Sequence, residues 1–326
     1  MSELWSRLGF LAIALVVYRI GTHIPIPGIN PEQVAALFQQ SQGTILQYFN
    51  LFSGGALERM SIFALSVVPY ISSAIVMQLF SNSVPYLQEL KKDGQAGRNK
   101  ITQYTRYGTV IFALIQSSAL TVTLQTAGLI DAGSIFSAFV AVISIVTGTM
   151  FLMWLGEQIS ERGIGNGISI IIATSIITGV PRAFGQALEQ SQQGDLNYLL
   201  LIVLAVLTLL VVAFVVFVEN AQRKITVNYA QRNQVRGMIQ APSSFLPLKL
   251  NMSGVIPAIF ASTFLLFPAS LSSWFGNIDG LGGLQEFSLY LNPGQPLYIL
   301  LFVILIVSFC YIWLALTFSS NDIAEI

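Results

Sequence analysis

Hydrophobic positions in this chain fall into long unbroken runs separated by shorter polar stretches. Runs long enough to cross a bilayer lie near residues 4–21, 61–81, 104–124, 135–155, 166–184, 197–218, 253–275 and 296–318. A membrane-spanning helix needs about 20 apolar residues. The runs are continuous rather than alternating, which predicts helices and argues against a barrel. Eight spans are expected. One further segment, QGTILQYFNLFSGGAL at 42–57, is uncharged and amphipathic, with Ile45, Leu46, Phe49 and Phe52 at helical spacing before Gly54 and Gly55 break it. It is too short to span and too apolar for water, so a short re-entrant helix is predicted, with an interfacial helix on the outer leaflet as the alternative.

Composition agrees with the pattern. The chain is 54% hydrophobic and 9% charged, against about 25% charged in ordinary globular domains, and its mean hydropathy is +0.71. The net charge is zero, so bulk charge names no partner and distribution matters more. Lys91, Lys92, Arg98, Lys100 and Arg106 gather after the second run, Arg162 after the fourth, and Arg223, Lys224, Arg232, Arg236 and Lys249 after the sixth. The opposite side holds Arg59 and Arg182, with Arg19 at the end of the first run. The positive-inside rule then places the N-terminus, the even-to-odd loops and the C-terminal tail in the cytosol. The two long connections, 22–60 and 219–250, fall outside and in the cytosol respectively. Residues 8–18 read as the first span rather than a signal peptide, because Arg19 follows and no A-x-A site does.

SVVPYI at 66–71 and GVIPAI at 254–259 share a small–Val–aliphatic–Pro–x–Ile pattern. They lie in the second and seventh runs, which cross in opposite directions. Two inverted five-span halves follow, residues 1–185 and 186–326, the second half holding spans six to eight with the cytosolic loop 219–250. SSNDIAEI at 319–326 reads as the start of another cytosolic loop, so the second half is expected to be incomplete. Pro69 and Pro257 are expected mid-span, each loosening its helix.

Little in the runs can do chemistry. One cysteine, Cys310, makes no internal disulfide. One histidine, His23, builds no metal site alone and reads as an ordinary loop residue. RGIGNG at 162–167 lacks the G-K-[ST] of a phosphate loop. Acids lie only near run ends, as at Glu157 and Glu219, which disfavours an ion-coupled pump. No nucleophile–base pair suggests an enzyme, and no catalytic residue, metal or cofactor is expected. The amides Gln78, Gln116 and Asn251 remain, either as interhelical glue or as a polar seam that can open.

Longer strings carry a resemblance. RIGTHIPIPGI, FNLFSGGALERMSIFALSVVPYI, GQAGRNKITQYTRYGT, TGTMFLMWLGEQISERGIGNGISIII and NMSGVIPAIFAS, in order from about residue 8 to about 318, resemble SecY, the central subunit of the bacterial protein-conducting channel. The resemblance implies an all-α polytopic membrane bundle of ten spans in two inverted five-helix halves around an hourglass pore with a plug helix. It implies that 44–55 is the plug, with Ile45, Phe49, Asn50, Phe52, Gly54 and Gly55 at family positions. It places the waist ring on Val67, Ile71, Ile168, Ile172 and Ile259. It puts Gln78, Gln116 and Asn251 along a lateral gate, and Arg223, Lys224, Arg232 and Arg236 on a docking loop for the ribosome and the motor ATPase SecA. SecE-like and SecG-like small subunits, signal-sequence-bearing polypeptides and the bilayer are the other implied partners, and the bacterial cytoplasmic (inner) membrane is the implied location.

Against this family stand two readings of other classes: a secondary transporter with an inverted repeat, and a non-channel insertase or scaffold. The first needs buried charge, and the second needs no plug. The elbow ERGIGNG at 161–167 also acquires a purpose. Its glycines permit a tight cytosolic turn, Asn166 can cap the next helix, and Ile168 and Ile172 follow on one face, spaced i and i+4.

Overall fold

The computed structural model describes residues 2–29, 33–34, 50–126, 128–130, 135–192, 197–227, 244–262, 264–265 and 295–317. The elements are α1 (Ser2–Gly21), α2 (Val68–Ser83), α3 (Pro85–Lys92), α4 (Gly94–Thr126), α5 (Ile135–Arg162), α6 (Gly167–Gln192), α7 (Tyr198–Asn220), β1 (Gln222–Val227), β2 (Ser244–Lys249) and α8 (Pro296–Thr317). Among the described residues, six helices are long and apolar enough to cross a membrane, namely α1 and α4 to α8. The chain is a multi-pass membrane protein.

The second apolar run departs from the expected span. Residues 62–67 form consecutive turns, and helix begins only at Val68. Pro69 stands in the first turn of α2, where its missing N–H is no loss and its fixed φ suits the helix. It starts the helix rather than loosening it, which corrects the mid-span expectation. Pro257 does the same for the helical residues 256–262, again as the second helical residue. The resemblance between the two hexapeptides extends to their backbones. Ser66 has φ 50 and Gly254 φ 60. The amide of Ile71 donates to the Val67 carbonyl at 3.1 Å, and that of Ile259 to the Val255 carbonyl at 3.3 Å. Both copies thus make a left-handed residue, one residue between, and a proline-started helix.

Compactness divides the chain into two units, Met1–Phe184 with Phe260–Leu305, and Gly185–Ile259 with Ile306–Ile326. In the first, α2 packs on α4, α3 on α4, α4 on α5, and α1 on α5. The Ser73 hydroxyl donates to the Thr105 carbonyl at 2.7 Å, fixing α2 to α4. Arg106 grips Glu157 through two hydrogen bonds of 2.9 and 2.8 Å, fixing α4 to α5. Between α1 and α2, residues 53–65 are buried or half-buried. Ile26, Leu57, Met60, Ala64 and Leu65 share an apolar core with Leu124 of α4 and Ala141 and Ile145 of α5. The backbone is cross-linked there, Ile26 N–H to the Met60 carbonyl at 2.9 Å and Ile62 N–H to the Ile24 carbonyl at 3.0 Å.

The second unit holds α7 and a two-stranded antiparallel ribbon, β1 with β2, in the register Gln222↔Lys249 to Val227↔Ser244. Asn197 caps α7 by accepting from the Leu199 N–H. Sequence reading gave loop 219–250 no strands, although QRKITV carries a β-branched end that favours one.

Candidate functional site

The elbow before α6 works largely as its residues suggest. The Asn166 side-chain oxygen accepts from the Ser169 N–H at 3.2 Å, so it caps the helix. The Ser160 hydroxyl accepts from the Gly167 N–H at 2.8 Å, tying α5 to the start of α6. A Cβ on Gly167 would stand 2.0 Å from the Gly156 carbonyl oxygen, so only glycine permits this approach of the two backbones.

The aliphatic positions of the first unit lie close to element starts. Val67 is buried just before α2, and Ile71 is half-buried in its first turn. Ile168 is half-buried as the second residue of α6, with its δ-carbon against Gly156. Ile172 is buried one turn later. In the second unit, Ile259 is half-buried in the helical residues 256–262. Of the amides, Gln78 is half-buried on α2, and Gln116 is half-buried on α4 with its Oε1 buried and without a hydrogen-bond partner among the described residues. Asn251 is a bracket. Its amide donates to Glu219 Oε2 at 3.0 Å, at the end of α7, while its Oδ1 accepts from the Gly254 N–H at 3.1 Å and the Ser253 hydroxyl at 3.0 Å. It closes the neck of the ribbon onto the turn that starts the next helix.

Arg223 and Lys224 are exposed on β1. Adjacent strand residues point to opposite faces, and the Lys224 ammonium sits 4.8 Å from the centre of the Phe245 ring. Arg232, Arg236, Ile45 and Phe49 lie outside the described residues.

Asn50 and Phe52 end a helical stretch, and Gly54 and Gly55 follow with φ of 64 and 82, as the helix break requires. Here the structure adds residues that sequence reading used only for topology. The Gly54 carbonyl accepts from Arg19 at 3.3 Å and from Arg59 at 3.2 Å. Arg59 also donates to the Gly55 carbonyl at 3.1 Å. His23 lies 2.6 Å from Arg59 through Nε2, so it supports this arginine rather than standing as an ordinary loop residue. Tyr18 shares a 2.5 Å hydrogen bond with Ser175 of α6 and donates to the Ser53 carbonyl at 3.3 Å. Arg182 of α6 grips Glu58 at 2.6 and 2.7 Å, and the Asn50 amide donates to the same carboxylate at 3.1 Å. The Arg182 hydrogen bonds lead in holding the Glu58 carboxyl below its ordinary pKa, against burial, which would raise it; Asn50 and the charges of Arg182 and Arg59 lower it further. The signal was available: Arg19, Arg59 and Arg182 are the arginines that the charge pattern set apart from the basic loops, and they hold carbonyls and a carboxylate.

The SecY family's sequence model matches residues 61–326. The chain is 57% identical over 325 residues to "Protein translocase subunit SecY" of Pseudomonas aeruginosa, covering 100% of this chain and 74% of that one. Its fold is similar to that in "The structure of a protein conducting channel", with a TM-score of 0.59, 20% identity, and coverage of 83% of this chain and 59% of that one. It is similar also to "Sec61 in the Canine ribosome-channel complex from the endoplasmic reticulum", with a TM-score of 0.57, 20% identity, and coverage of 83% and 59%.

Proposed function

This chain belongs to the SecY family, and on that premise we propose that it is the channel-forming subunit through which polypeptides cross, and enter sideways into, the cytoplasmic membrane of a bacterium. The observation that carries the reading is 57% identity to a translocase subunit spread over the whole chain. The subunit does no covalent chemistry; it supplies a path, and partners supply the energy. Its N-terminus and the ribbon lie in the cytosol, since the basic residues gather on that side. Arg223 and Lys224, exposed on a ribbon, with Arg232 and Arg236 between its strands, form the docking face for the ribosome and SecA. SecE-like and SecG-like helices cover apolar helix faces, and signal-bearing chains are the clients.

Val67, Ile71, Ile168, Ile172 and Ile259 form the waist between two halves, 1–185 and 186–326. Their side chains offer no hydrogen-bonding atom, and a narrow apolar ring gates by dewetting. The segment 44–55 is the plug, and Gln78, Gln116 and Asn251 line the gate. The test is Ile259→Asn in the full-length protein, reconstituted in planar bilayers. Ion conductance should rise and defective signal sequences should pass. Normal expression with no added conductance would remove Ile259 from the ring.

A further inference from the structure

Three elements of the second unit meet at one side chain. The ribbon leaves α7 at Ala221 and returns at Leu250, whose N–H reaches the Ala221 carbonyl at 3.0 Å. Asn251 follows directly. Backwards, its amide donates to Glu219 Oε2 at 3.0 Å, in the last turn of α7. Forwards, its Oδ1 accepts from the Gly254 N–H at 3.1 Å and from the Ser253 hydroxyl at 3.0 Å. Gly254 is the left-handed residue of the turn before the helical residues 256–262, which carry Ile259. The Ser253 hydroxyl also lies 3.6 Å from the Cys310 sulfur, on α8.

Glu219 is poorly placed for its own helix. A carboxylate in the last turn faces the negative end of the helix dipole, which is unfavourable. Among the described residues it forms no ion pair. Its half-buried carboxylate instead fixes which way round the Asn251 amide stands. An ionised carboxylate only accepts, so the Asn251 nitrogen turns toward it and the oxygen toward Gly254. The bond to Gly254 is local and caps the turn. The bond to Glu219 reaches back across the whole ribbon. With both made, residues 250–254 cannot rotate about their main-chain bonds independently of α7. With the Glu219 bond lost, the main chain still joins ribbon to helix, but as a slack link.

We propose that Asn251, oriented by Glu219, is a positioning residue that couples the ribbon to the helix carrying Ile259, so that a partner docked on the ribbon shifts that helix. This rests on the docking-face reading above. A docked partner biases the helix only if it tells the helix's two positions apart. A rigid bracket carries that difference to the ribbon, and a slack link absorbs it.

The experiment measures export into inverted membrane vesicles against SecA concentration, and melting temperature in detergent. It compares the full-length wild type with Asn251→Asp, Asn251→Asp together with Glu219→Gln, Asn251→Ser, Glu219→Ala and Arg223→Glu. Asn251→Asp sets two carboxylates face to face. It should lower the maximal export rate about tenfold, the scale of a lost hydrogen bond to a charged group, and leave the half-saturating SecA concentration unchanged. Adding Glu219→Gln exchanges donor for acceptor, the new glutamine donating and the new aspartate accepting, and should restore the rate. Asn251→Ser separates bracket from cap. A serine hydroxyl caps as an asparagine does but is too short to reach Glu219, so this variant should melt like the wild type and export like Asn251→Asp. Glu219→Ala removes the bracket from its other end and should do the same. Wild-type export by Asn251→Ser, or no recovery in the double variant, overturns the proposal. A raised half-saturating concentration at an unchanged maximal rate would make Asn251 part of the docking face and also overturn it. Arg223→Glu keeps the bracket and reports on docking alone, by raising the half-saturating concentration. If it does so while the bracket variants export normally, the coupling is wrong and the docking reading stands. If Arg223→Glu changes nothing, both fall. Should Asn251→Asp fail to fold, Asn251→Ser carries the test.

Discussion

At the scale of single residues, Arg59 and Arg182 carry the main lesson. An arginine is costly in an apolar setting unless its five donors find acceptors. Arg59 meets this with the Gly54 and Gly55 carbonyls and His23, and Arg182 with Glu58. The glycines are what make those carbonyls available, since left-handed φ at Gly54 and Gly55 turns the chain where a side chain would strain it. The Gly54–Gly55 turn is therefore held by Arg19 and Arg59. The held carboxylate has a pH signature. Glu58 has a depressed pKa in the folded protein, chiefly through Arg182, helped by Asn50 and by the charges of Arg182 and Arg59, and opposed by burial. A depressed acid contributes stability above its unfolded value, about 4.3, and loses it as pH falls through the folded value. Melting of the wild type should thus fall more steeply than that of Glu58→Gln as pH drops below the unfolded value and through the lower folded one, with the two curves converging at the acid end. Differential scanning fluorimetry on purified protein measures this, and parallel curves would contradict it.

At the scale of elements, helix starts decide where the side chains of the proposed waist stand. Ser66 accepts a left-handed backbone that costs a non-glycine residue about 1–2 kcal/mol, and its hydroxyl donates to the Phe52 carbonyl at 3.3 Å. The turn sets Val67 and Ile71 at the head of α2. Its counterpart at Gly254 uses glycine and sets Ile259 in the same way. The ribbon is the other element with consequences. Because Leu250 N–H reaches the Ala221 carbonyl at 3.0 Å and Asn251 reaches Glu219, its neck is closed. Lys224 leans on Phe245, so changing it disturbs the ribbon as well as its charge. Arg223, paired across the ladder with Leu248, gives the cleaner test. Arg223→Glu should weaken ribosome binding about tenfold and reduce its salt dependence by about one counterion. Co-sedimentation across a salt series would show it, and an unchanged slope would remove Arg223 from the docking face.

At the scale of the whole molecule, a lateral gate requires α2 and the helix that starts at 256 to part. Ser73 is an unsuitable place to staple them, since its hydroxyl is committed to Thr105 of α4. If the proposed waist holds both Ile71 and Ile259, a bond between cysteines four residues after the first and four before the second, at 75 and 255, holds the proposed gate shut. Ile75→Cys with Val255→Cys, in a full-length protein whose Cys310 is replaced by serine, should therefore block export when oxidised and restore it when reduced. Export measured in inverted vesicles with and without reductant makes the comparison. Full export with the disulfide formed would remove the gate from this pair of helices.

The sequence by itself determined the class of the molecule, the positions of most helices and the family. Apolar runs of α1 and α4 to α8 and the strings around RGIGNG and NMSGVIPAI act locally, through the lipid's exclusion of unpaired backbone and through turn chemistry. It also placed the Asn166 cap and the break at Gly54–Gly55, which depend on neighbours a few residues away. It could not place the start of α2, because 61–67 is as apolar as a helix and only Ser66 and the approaching loop tip it into turns. Nor could it find the Glu58–Arg182 ion pair, whose partners stand 124 residues apart. Hydropathy registers how greasy a segment is, and charge counts register which side it faces. Which arginine meets which carbonyl is decided only when α6 is folded back against the loop, because a charge–charge bond depends on distances that the order of residues does not contain.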